Sequence, residues 1–383
     1  MDIVVAGHIC LDIIPGWKIG NIKNIIPGHI LEMEGLKLST GGAVANTGII
    51  LKKLGISTTL IGKIGSDAFG KIIINNLQKI HKSLTENMVI NKDDISSYTI
   101  VLNPPDTDRI FLHYPGPNRT FNAKDIPYEK IIDSRIFHFG YPPLMQKIFE
   151  NDGKELAKML QRIKELHIIT SLDMAMPDPK SPAGEVDWLK YFKNVLPQVD
   201  IFMPSIDELL FMFGTEKSNK IFKSKERFNL ALLNQLSEQF IDYGANVVVI
   251  KLGNQGIYLK THQIEDNRLS SIIHPENWNS RQLLSPCFSA EVKGTTGTGD
   301  ATIAGFLAQF LKGGEPEKCL TFAVAVGACC VEAVDATEGI VTIHEIEKRI
   351  NSGWERLPLT MSMDNWKFDG QHRIWKGPED QFK

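Results

Sequence analysis

With 383 residues the chain can hold one large domain or two medium ones. Hydrophobic residues make up 43% and charged residues 23%, which excludes a disordered chain. A formal net charge of −3 argues against a general nucleic-acid binder.

The five cysteines, Cys10, Cys287, Cys319, Cys329 and Cys330, are odd in number and none shows zinc-knuckle spacing. A reduced, cytoplasmic protein is therefore expected. The N-terminus lacks the basic start of a signal peptide, and the longest small-apolar run, residues 322–331, falls short of a membrane span.

Residues 3–6 form a short apolar run that predicts a buried strand ending at Gly7, with Asp12 just beyond it. Residues 11–40 hold prolines and glycines and predict loops with short strands. A helix follows, entered through Gly41 and Gly42, carrying Asn46 and leaving at Gly55. Residues 58–64 predict a strand, and Asp67 a cap for the next helix. Residues 98–103 and 109–113 predict a hairpin around Pro104, Pro105 and Asp106, suited to a small separate sheet. Strands at 136–139, 168–173, 200–203 and 247–252 then alternate with helical segments such as 153–166 and 228–241. Repeated βα units imply a mainly parallel sheet covered on both faces, with ligands beyond the strands' C-terminal ends. Residues 216–227 are dense in charge and predict a solvated loop, and 262–292 an extended loop or hairpin insertion. Residues 354–383 predict a C-terminal extension wrapped on the surface of a domain spanning 1–353.

The stretch from Gly294 to Gly305 organises the rest. Its glycines let backbone N–H groups converge, and an apolar helix starts at once. Such a helix start binds phosphate or a phosphoryl group in flight. Asp300 lies at its mouth, either as a proton acceptor or as an ordinary first-turn carboxylate. No P-loop, no Gly-x-Gly-x-x-Gly after the first strand and no protein-kinase signature occurs.

Three motifs together resemble the ribokinase-like (phosphofructokinase-B type) family of carbohydrate kinases. They are Gly41 to Asn46, continuing to Gly65-Ser66-Asp67; Leu252 to Gly256; and Gly294 to Gly305. The resemblance implies an α/β, three-layer αβα fold with a small β lid from about 11–40 and 98–121. It also implies ATP-dependent phosphorylation of a sugar hydroxyl, with Mg2+. Asp300 would be the general base, with Gly297, Thr298 and Gly299 as the anion hole. Asp12, Gly41, Gly42, Asn46, Arg109 and Asn118 would contact the sugar. Lys251, Gly253 and Gly256 would lie at the nucleotide, and Glu208 at the metal through water. A homodimer through the lid is expected, with no nucleic-acid or membrane partner.

Two positions depart from the family pattern. Gly294 replaces the usual Asp, which leaves K+ dependence open, and Ser205 replaces the usual Asn. The lid regions offer few basic residues (Lys18, Lys23, Lys37, Arg109, Arg119), which favours an unphosphorylated sugar. A nucleoside kinase using Phe111, His113 and Tyr114 as a platform, and a non-catalytic sugar or nucleotide sensor, remain as alternatives.

Overall fold

Strand β1 (Ile3–Gly7) shows how the chain is layered. Successive side chains of a strand point to opposite faces. Ile3 and Val5 pack into one apolar cluster, Val4 and Ala6 into another. The computed structural model describes residues 1–17, 25–104, 109–214 and 228–382. The further strands are β2 (Cys10–Pro15), β3 (Leu36–Gly41), β4 (Thr58–Ile61), β5 (Lys63–Gly65), β6 (Val89–Asn91), β7 (Tyr98–Leu102) and β8 (Ile110–Tyr114). They continue with β9 (Ile136–Gly140), β10 (Ile169–Leu172), β11 (Ile201–Phe202), β12 (Val247–Lys251), β13 (Ile257–Thr261), β14 (Gln282–Ser285), β15 (Lys367–Asp369) and β16 (Ile374–Lys376).

The central sheet has ten strands in the order β15-β16-β14-β13-β12-β11-β10-β9-β1-β4. From β4 across to β12 every neighbouring pair is parallel. β13, β14, β16 and β15 are added antiparallel. Helices Ala43–Lys53, Thr298–Leu311 and Pro316–Val331 cover the face that carries Val5. Helices Lys154–Glu165, Trp188–Val195 and Leu230–Asp242 cover the other. Helix Lys154–Glu165 forms because Leu156, Met159, Leu160 and Ile163 fall on one face, and all are buried. Helix Ala68–Ile80 starts where predicted: the Asp67 carboxylate accepts from the Gly70 N–H at 2.9 Å. The result is the expected three-layer α/β architecture. Among the described residues no helix is long and apolar enough to cross a membrane.

A second sheet, β3-β2-β7-β8, is built from the two stretches expected to form the lid. β2 pairs in parallel with β7, and the outer pairs are antiparallel. Its register aligns Ser39, Asp12, Thr99 and His113 in one row across the strands, and Leu38, Ile13, Ile100 and Leu112 in the next. Adjacent rows face opposite ways. The hairpin turn at Pro105 and Asp106, Lys18, Lys23 and the charged stretch 216–227 lie outside the described residues.

Two expectations are corrected. Residues 262–292 are not a peripheral insertion: β13 and β14 pair as a long hairpin, and β14 is an interior strand of the main sheet. The tail is not merely wrapped on the surface, because it returns as β15 and β16 and extends that sheet. Polarity hid both segments. Arg281 is fully buried, but Glu317 and Asp380 pair with its guanidinium.

Candidate active site

Helix Thr298–Leu311 begins at Gly297, whose φ is 73° and ψ 3°. A Cβ at Gly297 would lie 2.4 Å from Cβ of Ala336, so conformation and space both demand glycine. The first-turn N–H groups have no partner within the helix and carry its positive end. A Cβ on Gly299 would be 3.7 Å from Nζ of Lys251, which sets that ammonium beside the same turn. Gly297, Thr298, Gly299 and Lys251 thus converge on one anion-binding spot.

Asp300 is 1% exposed at this spot. Its Oδ2 accepts from Nδ2 of Asn46 at 2.9 Å and from the Tyr141 hydroxyl at 2.7 Å. Its Oδ1 accepts from the Thr47 hydroxyl at 3.3 Å. Burial raises the carboxyl above its ordinary value, against the pull of the bonds from Asn46 and Tyr141. A carboxylate raised in this way is a stronger base. Tyr141 is itself held neutral by burial and by the carboxylates of Asp300 and Asp173, so it acts as a donor.

Lys251 ends β12 and pairs with Oδ1 of Asp173 at 2.6 Å. Burial pulls the ammonium down, but Asp173, Glu208 and Asp300 outweigh it and hold the lysine charged. Asp173 follows β10, Tyr141 follows β9 and Lys251 closes β12, so the group gathers at the C-terminal edge of the parallel strands.

The acceptor side is continuous with this group. A Cβ on Gly41 would lie 2.2 Å from Oδ2 of Asp12, so only glycine lets β3 pass that carboxylate. Gly42 (φ 86°) starts helix Ala43–Lys53, which presents Asn46 to Asp300. Burial raises the Asp12 carboxyl to about 6. The polar lid row places Ser39, Thr99 and His113 on the same side as Asp12, and Thr99 meets Nδ1 of His113 at 3.0 Å. His113 in turn reaches His8, Nε2 to Nε2 at 3.3 Å.

The remaining candidates separate. Asn118 is fully buried, and its amide bonds the backbone of Ile9 at 3.2 and 2.9 Å and the Pro115 carbonyl at 3.0 Å. It ties the segment after β8 to the Ile9 backbone between β1 and β2, and the structure shows it in this structural role. Arg109 donates to the hydroxyls of Thr295 (2.7 Å) and Thr296, joining the lid to the entry of the anion hole. Gly256 (φ 102°) closes a tight turn, where a Cβ would lie 2.0 Å from the Ser285 carbonyl. Gly253 (φ 59°) has nothing within 4 Å of where a side chain would project, an open face for a flat ligand. Glu208 closes a capping box: its Oε2 accepts from the Ser205 N–H at 2.7 Å. Tyr141 and Thr47 escaped the sequence-based candidates, and Asp173 was placed only at the ligand edge of a strand, with no role. Their shared signal was position, each at a strand's C-terminal end or one residue from a candidate.

Among the described residues no group of three or more His, Cys, Asp or Glu is arranged to hold a metal. That suits Mg2+, which keeps much of its water and takes one or two carboxylates plus phosphate oxygens. Glu208 and Asp173, both within electrostatic reach of Lys251, are the carboxylates that would face the metal. The K+ question stays where Gly294 leaves it, since the usual aspartate is missing there. A Cβ on Gly294 would lie 2.9 Å from the Ala333 carbonyl, and Nζ of Lys53 already donates to the Thr337 carbonyl at 2.6 Å.

A lidded three-layer sheet, with an anion-binding helix start beside a buried carboxylate, has the architecture of a carbohydrate kinase. The chain belongs to the pfkB family of carbohydrate kinases, whose description matches residues 2–343. It is 27% identical over 290 residues to an uncharacterized sugar kinase of Archaeoglobus fulgidus, covering 76% of this chain and 97% of that protein. It is 24% identical over 349 residues to an ATP-dependent 6-phosphofructokinase of Thermoanaerobacterium thermosaccharolyticum, covering 90% and 92%. A putative ribokinase II from E. coli, solved in complex with ATP and Mg2+, shares the fold with a TM-score of 0.67 at 20% identity, covering 92% and 99%.

Proposed function

We propose that the protein transfers the terminal phosphoryl group of ATP to a hydroxyl of an unphosphorylated sugar or sugar-like alcohol, with Asp300 as general base. The observation that carries this reading is Asp300 itself, buried, raised in basicity and oriented by Asn46 at the start of an anion-binding helix. Asp12 and Asn46 hold the acceptor's hydroxyls, because vicinal hydroxyls need both acceptors and donors. Asp300 takes the proton of the attacking hydroxyl. The N–H groups of Gly297, Thr298 and Gly299, with the Lys251 ammonium, stabilise the moving phosphoryl. Little covalent chemistry is asked of the protein, so positioning and charge dominate. Glu208 and Asp173 would hold Mg2+, which would neutralise part of the phosphate charge. The lid excludes water that would otherwise take the phosphoryl group.

An unphosphorylated acceptor is favoured because Lys37 is already engaged by Asp335 and Glu338, and Arg109 by Thr295 and Thr296. A nucleoside acceptor is less well served. Tyr114 stacks with Tyr98 at 5.5 Å, on the strand face opposite His113, so the three rings make no single platform. The five cysteines are free, in keeping with a reducing, cytoplasmic setting. We further propose that two copies pair through the lid.

A coupled ADP-release assay over a panel of sugars and nucleosides, with and without potassium, tests the reading. One sugar class should give turnover, and the potassium arm reads the cation dependence that Gly294 leaves open. Asp300→Asn should keep the fold and ATP binding while turnover drops by roughly 10²–10⁴-fold. Near-wild-type turnover in that variant would overturn Asp300 as base.

A further inference from the structure

Beyond the family match the tail builds a recess of its own. A cavity of about 270 Å3 is lined by Arg356, Leu359, Met363, Phe368, Arg373 and Trp375, together with Pro286 from the end of β14. The rings of Phe368 and Trp375 lie 5.2 Å apart on its wall, and Phe368 is 55% exposed.

The partners of the two arginines are neutral, and the Arg356 guanidinium also lies over the Phe288 ring, 3.8 Å from its centroid. Arg356 donates to the Ser285 hydroxyl (3.2 Å), the Pro286 carbonyl (2.6 Å) and the Thr321 hydroxyl (3.2 Å), all of them neutral. Its Nε is buried with no acceptor. Arg373 donates to the Trp354 carbonyl at 2.9 Å. Among the described residues neither pairs with a carboxylate, although Arg349 nearby in sequence pairs with Glu332. Burial, and then the charge of Arg373, pushes the Arg356 guanidinium down to about 9. A half-buried cation beside a second cation, with no anion between them, is an unfavourable state that a bound anion relieves. A guanidinium has five donors in a planar fork that matches phosphate or carboxylate oxygens.

We propose that this recess binds a small organic anion, a phosphate or carboxylate carried on a flat apolar body. The anion lies between Arg356 and Arg373, and the apolar body lies against Phe368 and Trp375. The recess is joined to the turn that carries Gly253 and Gly256. The Gln255 side chain accepts from the N–H and hydroxyl of Thr360 at 2.8 and 3.0 Å, and Sγ of Cys287 donates to the Gly253 carbonyl at 3.3 Å. On the ATP reading above, an occupant therefore changes KM for ATP more than kcat.

Phenyl phosphate titrated calorimetrically into the full-length protein tests the site, with phenol and inorganic phosphate as its two halves. Titration into the Asp300→Asn protein separates binding from turnover, so failure of the recess and failure of the catalytic reading give different results. We expect one saturable site for phenyl phosphate, weaker binding of either half, and persistence under saturating ATP. Arg373→Asn removes the charge, and asparagine tolerates the left-handed backbone there (φ 55°). It should weaken binding by about tenfold or more with the melting temperature little changed. Absence of saturable binding, binding unchanged in Arg373→Asn, or displacement by ATP would each overturn the proposal.

Discussion

Tyr141 donates to the same Asp300 oxygen that Asn46 holds, where on the proposed reading an acceptor hydroxyl approaches. Its backbone is left-handed, φ 64° and ψ 47°, an unusual setting for a bulky residue that costs on the order of 1–3 kcal/mol. Strain at the end of β9 is thus retained to aim one phenol at one carboxylate. That bond lowers the carboxyl of Asp300, so Tyr141→Phe lets it rise further. The acid limb of the kcat profile, where Asp300 loses its proton, should move to higher pH in this variant while KM for ATP stays put. A limb that does not move would separate Tyr141 from the base. Asp12 makes a second pH prediction. Its carboxyl is raised to about 6, so it is ionised above that pH and protonated below. If the ionised form accepts sugar hydroxyls, KM for the sugar rises as pH falls through about 6. Asp12→Asn should flatten this dependence, which steady-state kinetics across pH 5 to 8 would register.

The same logic of distant partners holds for whole elements. β3 is tied to the loop after helix Pro316–Val331 through Ser39 to Asp335 at 2.9 Å, and the β8 side is tied to Thr295 and Thr296 through Arg109. These bonds link the lid sheet to the entry of helix Thr298–Leu311, the kind of link through which a closing lid completes a site. The tail is anchored by a buried charge group: Arg281 with Glu317 and Asp380, all at most 4% exposed at the side chain. Removing one member leaves buried charge uncompensated. Arg281→Ala should therefore cost roughly 3–5 kcal/mol, read as a lower urea midpoint. An unchanged midpoint would show that the tail is not anchored there. This group also explains what the sequence concealed. The parallel strands were legible because each is a short apolar run, such as Val247 to Lys251. β14 and β16 were not, because their burial depends on polar residues whose partners lie 36 and 99 positions away.

At the scale of the molecule, the site was legible where the chain keeps its parts contiguous. Gly41 to Asn46 and Gly294 to Asp300 are local motifs, and the structure brings them together through the bond from Asn46 to Asp300. Tyr141 and Asp173 come from separate strand ends, and only the sheet order makes them neighbours of Lys251. The lid register carries a further consequence. The row with Ser39 and Asp12 faces the body, since Ser39 bonds Asp335. Alternation then puts Leu38, Ile13, Ile100 and Leu112 on the opposite face, where Ile13 packs against the core and Leu38 and Leu112 stay exposed. Leu36 (60% exposed), Leu38 (38%) and Leu112 (51%) leave apolar surface on that face of both edge strands. An apolar face with two open edges is the kind of surface that a second copy covers. We therefore expect a dimer by sedimentation velocity, and Leu112→Glu should convert it to a monomer by placing a charge on that face. Because Leu112 points away from Asp12, the monomer should keep a measurable kcat with a raised KM for sugar, as the lid loses its support. A wild-type protein that sediments as a monomer would refute this pairing.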